Sequence, residues 1–203
     1  MSVRLLGIAS FVFFASTALA PAFAEASTFA KATADRTAGR QAPAKTSPGA
    51  GPVIVVETEK GTFEFETYPN EAPKTVAHVI NLINKRYYNG QRFHRVVPGF
   101  VVQMGDQTTR DMTKEKTWGS FDSGAPVGAA EFSKLRTHVR GAVAMAHRGD
   151  AAKADAQFYI TLADTPRLNS DYVVFGKVIS GMDVVTKIQY ADRIVRVTVR
   201  EAK

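Results

Sequence analysis

The chain has 203 residues, with 26 Lys and Arg against 19 Asp and Glu for a formal charge of +7. It contains no cysteine, which excludes disulfides, thiolate nucleophiles and cysteine-ligated metals and leaves stability to an ordinary hydrophobic core. The positive excess is scattered, with no run of four basic residues and no interleaving with aromatics, so a solvated surface accounts for it and nucleic-acid binding is not indicated.

Met1 to Arg4 forms a short positive leader, and residues 5–20 are apolar or small throughout. Ala22-Phe23-Ala24 then supplies small residues at both positions a signal peptidase inspects, which predicts a signal peptide over residues 1–24. A cut after Ala20 would leave Pro21 first, a poor product for such a peptidase. An uncleaved anchor is the alternative reading, because no charge interrupts residues 5–24; the run is, however, diluted by Ser, Thr, Pro and Ala, where a span needs about 20 strongly apolar residues. On either reading the rest of the chain is exported. Residues 25–51 are almost wholly Ala, Thr, Lys, Pro, Ser and Gly, with Phe29 the one large apolar residue, and read as a flexible linker. Residues 52–203 then have the length of one domain.

Within that domain, Val53 to Val56 is a β-branched run, and Thr62 to Thr67 alternates with period two after a turn at Glu59-Lys60-Gly61, predicting a hairpin. Pro73 stands at the head of Lys74 to Asn84, where Val76, Val79, Ile80 and Ile83 recur at helical spacing. Short β-like segments follow at residues 92–97, 100–104, 141–146, 157–162, 173–178 and 194–199, with a second helix predicted over 182–189. Many strands and only two helices predict a mainly β fold, a closed antiparallel β-barrel.

The usual catalytic signatures are missing. There is no Gly-rich phosphate loop, no nucleophile elbow and no HExxH, and His78, His94, His138 and His147 lack metal-ligand spacing, so no metal or cofactor is expected. His78 reads as a surface or packing residue. What does stand out is the concentration of aromatic, Arg, Gly and Pro residues between Tyr87 and Asp106.

Phe93-His-Arg-Val-Val-Pro-Gly-Phe-Val-Val-Gln-Met-Gly-Asp106 resembles the signature segment of the cyclophilin-type peptidyl-prolyl cis/trans isomerases. Ala144-Met-Ala-His-Arg-Gly149, Asp155-Ala-Gln-Phe-Tyr-Ile160 and the stretch from Leu168 to Val178 resemble three further family segments, in the family's order and spacing. The resemblance implies an eight-stranded antiparallel β-barrel capped by two α-helices and a rotamase acting on proline-containing polypeptides. It further implies Arg95 as the catalytic residue, Phe100, Val101, Tyr159 and Leu168 as the apolar proline pocket, and Gln103 as its polar wall. Backbone groups around Ala146 and His147, the side chain of Gln157, and Tyr172 complete the implied substrate-binding set. Phe93 reads as core, and His94 as structural because neighbouring residues of a strand face opposite ways.

The chain also departs from the family. Tyr159 stands where a second pocket phenylalanine is usual, and Val101 where methionine is common. Tyr172 stands in place of a common histidine, and His147 and Arg148 in place of Asn and Ala. Arg167 occupies the position of a tryptophan that contacts cyclosporin in sensitive members. These changes predict a more basic rim, retained activity and weak cyclosporin binding. They resemble bacterial exported members, so a monomer in a bacterial periplasm is expected, with secretion or membrane anchoring as the alternatives. A non-catalytic proline-recognition module using the same groove is the competing reading; retention of Arg95 and Gln103 argues against it. Residues 108–132 keep little of the family pattern and receive no role.

Overall fold

The computed structural model describes residues 51–201. The predicted signal peptide and all of the predicted linker except Gly51 lie outside the described residues. All eight predicted strands are present: β1 (Val53–Thr58), β2 (Gly61–Thr67), β3 (Arg95–Val97), β4 (Val101–Met104), β5 (Ala142–Met145), β6 (Phe158–Thr161), β7 (Val174–Ser180) and β8 (Ile194–Arg200). They form one antiparallel sheet in the order β3-β4-β6-β5-β7-β2-β1-β8.

The expected closed barrel is not formed. The sheet ends at β3 on one side and β8 on the other, and its curl brings these edges together without a ladder, at an isolated bridge between Arg92 and Arg193. Residues 90–93, upstream of β3, latch onto the start of β8 through Gly90 N–H to Ile194 O (2.8 Å), Ile194 N–H to Gln91 O (2.8 Å) and Phe93 N–H to Asp192 O (3.1 Å). The contacts to β8 therefore come from residues 90–93, while the three residues of β3 itself pair only with β4.

The two faces of the sheet carry separate apolar clusters, as period-two alternation requires. Ile54, Val56, Phe63, Phe65, Val102, Met104, Phe158, Ile160 and Phe175 point into the main core. Their neighbours Val101, Ala142, Ala144, Tyr159 and Val174 point out and form a second cluster, joined by Phe100, Ala146, Leu168 and Tyr172. Phe93 is fully buried in the main core, as expected. The second cluster is the base of the candidate site.

Helix α1 (Pro73–Asn84) buries Thr75, Val76, Val79, Leu82 and Ile83. Ile80, expected on that face, is only partly buried against the core. Its N-cap residue is Ala72, which has no capping side chain. Glu131, 56 residues downstream of Thr75, supplies the cap, accepting from Lys74 N–H (3.0 Å), Thr75 N–H (2.8 Å) and Thr75 Oγ1 (2.8 Å). A carboxylate there satisfies orphan donors and complements the helix dipole. Glu131→Ala is expected to cost about 1–2 kcal/mol, read as a fall of roughly 4 °C in the thermal unfolding midpoint; an unchanged midpoint would dismiss the cap.

The second helix is shorter than the sequence predicts. Helix α2 spans only Met182–Val185. Beyond it the chain tightens into i→i+3 bonds, Lys187 N–H to Val184 O and Ile188 N–H to Val185 O, and Asp192 Oδ2 then takes the Gln189 N–H at 2.7 Å. Ala191 sits at φ +67°. The chain must turn here to enter β8, and the apolar spacing that suggested two helical turns serves instead to bury Val185 and Ile188.

Candidate active site

Strand register builds the site as one row across the outer face of the sheet. Arg95 pairs with Gln103, Gln103 with Tyr159, Tyr159 with Ala144, and Ala144 with Val174. The small side chain of Ala146 leaves an open volume beside this row. The result is a cavity of about 300 Å³ lined by Arg95, Phe100, Val101, Gln103, Ala146, His147, Tyr159, Leu168 and Tyr172. Nine of the ten residues named from the sequence therefore converge on one cavity. The tenth, Gln157, lines an adjoining cavity of about 250 Å³ that shares Gln103, Ala146 and His147 and adds Gly119, Asp122, Arg148 and Lys153.

A chain of hydrogen bonds holds the polar side of the cavity. Arg95 Nη1 donates to Gln103 Oε1 (3.3 Å), and Gln103 Nε2 donates to Gln157 Oε1 (3.0 Å). Gln157 Nε2 donates to the carbonyls of Gly119 (3.1 Å) and Phe121 (2.9 Å), which fixes the amide with its oxygen toward Gln103. His94 Nε2, 3.1 Å from that oxygen, must then be the donor. Burial pushes the His94 imidazole below its ordinary range, so it is neutral at pH 7 with its proton on Nε2. His94, expected to face away from Arg95, has the site glutamine itself as its partner. Gly105 makes this proximity possible: at φ +114° a Cβ would lie 2.3 Å from Ala156 O and 2.6 Å from Gln157 Cα.

The apolar side carries its own charges. The Arg95 guanidinium lies 5.5 Å from the Phe100 ring centroid and that of Arg167 lies 4.7 Å from it, so two cations face one aromatic. At the rim, Arg148 forms an exposed ion pair with Asp122 (2.9 Å) and also donates to Gly119 O (2.5 Å). His147 Nε2 donates to Asp171 O (2.8 Å), and its ring lies on Tyr172 with centroids 4.4 Å apart.

Tyr159 presents its ring to the cavity while its hydroxyl turns away, 3.0 Å from Nε2 of His138. His138 is 2% exposed and also meets Asn169 Oδ1 through Nδ1 (3.0 Å). Burial raises the Tyr159 phenol well above its ordinary range and lowers His138, so both are neutral. Nothing in the sequence singled out His138; its partners lie 21 and 31 residues away.

The segment that received no role from the sequence supports the site. Buried Asp106 accepts from Thr108 N–H and Oγ1, Gly119 N–H (each 2.7 Å) and Phe121 N–H (3.1 Å), folding the loop so that Gly119 and Phe121 offer their carbonyls to Gln157. Asp155 does likewise for Gly124 N–H (2.8 Å), Ala125 N–H (3.0 Å) and Ser123 Oγ. His78 faces Asp155 at 3.3 Å and so ties α1 to this loop. Among the described residues no group of three or more His, Cys, Asp or Glu could hold a metal ion.

Residues 53–202 match the family described as cyclophilin type peptidyl-prolyl cis-trans isomerase/CLD. The chain is 42% identical over 139 residues to a "Probable peptidyl-prolyl cis-trans isomerase" of Brucella abortus, covering 67% of this chain and 70% of the relative. It is 38% identical over 144 residues to a "Peptidyl-prolyl cis-trans isomerase" of Acinetobacter baylyi, covering 68% and 72%. A solved Cryptosporidium parvum cyclophilin type isomerase is similar in fold, with a TM-score of 0.65 at 24% identity over 75% of this chain and 99% of that one.

Proposed function

The chain belongs to the cyclophilin-type peptidyl-prolyl cis-trans isomerase family and is such an isomerase, and we propose that it accelerates X–Pro rotation in exported polypeptides, assisting their folding, with Arg95 as the catalytic residue. Rotation about the X–Pro amide breaks no bond. Its barrier is resonance, about 18–20 kcal/mol for a peptide bond, and uncatalysed isomerisation takes roughly tens to hundreds of seconds. In the twisted transition state the prolyl nitrogen regains a lone pair, and a fixed donor aimed at it interacts more strongly with the twisted state than with the planar one.

One observation carries the assignment. Arg95 is an exposed cation held by Gln103 at the mouth of an apolar cavity. In this reading Phe100, Val101, Tyr159 and Leu168 hold the proline ring, Gln103 holds the guanidinium, and Gln157, Ala146, His147 and Tyr172 border the flanking peptide. A rigid, always-charged fork suits Arg95 to the task. Arg167 beside Phe100 takes the space a cyclosporin-contacting residue would need, so that ligand binds weakly. The enzyme acts as a monomer on proline-containing polypeptides in a bacterial periplasm, after cleavage behind Ala24.

Two experiments test this. The chain is expressed in a Gram-negative host and the mature N-terminus sequenced from the periplasmic fraction, where Glu25 is expected; full-length protein retained in the membrane would replace the cleaved signal with an anchor. Isomerisation of a short X–Pro peptide is then followed with the purified protein. A folded protein that binds the peptide without accelerating its isomerisation would make the groove a recognition module.

A further inference from the structure

We propose that His138 is a positioning residue for the isomerase pocket, holding the Tyr159 hydroxyl out of the cavity and locking the strand beneath it to the turn that carries Leu168. The proposal rests on the isomerase reading above. The direction of each hydrogen bond follows from the donors present. Asn169 Oδ1 accepts the backbone N–H of His138 itself at 2.9 Å, which identifies that atom as the amide oxygen. His138 Nδ1, 3.0 Å from the same oxygen, must therefore carry the imidazole proton. Nε2 of the neutral ring is left as an acceptor, and the Tyr159 hydroxyl at 3.0 Å donates to it.

The two rings stack at 19° with centroids 6.0 Å apart, so the phenol is restrained in plane as well as at its tip. The backbone of His138 fastens the other side. Its carbonyl accepts Thr165 N–H at 2.7 Å, and Leu168 N–H bonds in turn to Thr165 O at 3.1 Å. One residue thus joins the floor of the cavity, on β6, to its wall, on the turn Pro166–Leu168.

The consequence for catalysis is specific. A pocket that grips the proline ring holds the planar and twisted states alike, so it contributes uniform binding, which sets KM rather than kcat. Without an acceptor at position 138 the hydroxyl is left unpaired beside the cavity, where it opposes an apolar ring.

The test measures kcat and KM for an X–Pro peptide with four full-length proteins: wild type, His138→Leu, Tyr159→Phe and the double variant. His138→Leu is expected to raise KM about tenfold with kcat changed less than about twofold. Added to Tyr159→Phe, it is expected to change KM by less than about twofold, because the hydroxyl it restrains is gone. Equal effects in both backgrounds, or a loss confined to kcat, would overturn the proposal. Should His138→Leu not fold, the wild-type imidazole ¹⁵N spectrum decides, since the Nδ1–H tautomer is required and the Nε2–H tautomer would refute it. An inactive wild type would count against the isomerase reading alone; the same four proteins compared by peptide Kd would then still show or deny the coupling.

Discussion

Arg95→Ala is expected to lower kcat/KM for an X–Pro peptide by about 100-fold, the usual scale for removing one preorganised donor from a developing charge. The thermal midpoint should hardly move. Arg95 is exposed, its guanidinium bonds Gln103 at 3.3 Å, and it packs only loosely over Phe100; surface changes of this kind usually stay within about 0.5 kcal/mol. The loss should fall chiefly on kcat, because the interaction strengthens only as the amide twists. Arg95→Lys should recover little, since an ammonium lacks the planar fork that Gln103 Oε1 orients. Wild-type rates in Arg95→Ala would leave the isomerase standing and remove Arg95 as its donor.

Asp106→Ala is expected to be the most damaging change outside the cavity. Its carboxylate is fully buried and accepts four hydrogen bonds, three of them from backbone N–H groups. Hydrogen bonds to a charged group are worth more than neutral ones, and deleting the acceptor strands the donors. A loss of about 3–4 kcal/mol follows, or roughly 10 °C in the unfolding midpoint of a domain this size. Activity should fall as well, by about tenfold in kcat/KM, because Gly119 and Phe121 would no longer be held where Gln157 Nε2 reaches their carbonyls. A midpoint within 2 °C or so of wild type would mean that water replaces the carboxylate, and the loop's dependence on Asp106 would be disproved.

Local pattern and remote pairing contributed differently to what could be read. The alternation in Thr62 to Thr67 and the spacing of Val76, Val79 and Ile83 placed β2 and α1 to within a residue or so. Met182 to Gln189 shows where such reading stops. Its apolar spacing fits a helix of eight residues, but the turn into β8 truncates it after Val185. Barrel closure failed for a related reason: whether β3 and β8 pair depends on the geometry of residues separated by about a hundred positions, which no local pattern encodes.

The candidate site divides in the same way. Residue identities within each motif, with their family resemblance, were enough to name Arg95, Phe100, Val101, Gln103, Tyr159 and Leu168. The supporting partners were not legible. Glu131 caps a helix that begins 58 residues before it, His138 takes a hydroxyl from β6, Asp106 folds a loop that looked featureless, and Arg148 pairs with Asp122. By itself the sequence determined which segments are strands or helix, which side chains line one face, and which family's chemistry they carry, because those properties reside in neighbours a few residues apart. Only the tertiary structure decided that the sheet stays open at β3 and β8, that Tyr159 turns its hydroxyl away, and that Gln157 is locked by distant carbonyls. These outcomes depend on hydrogen-bond donors and acceptors that meet only after the chain has folded, when burial obliges each to find a partner.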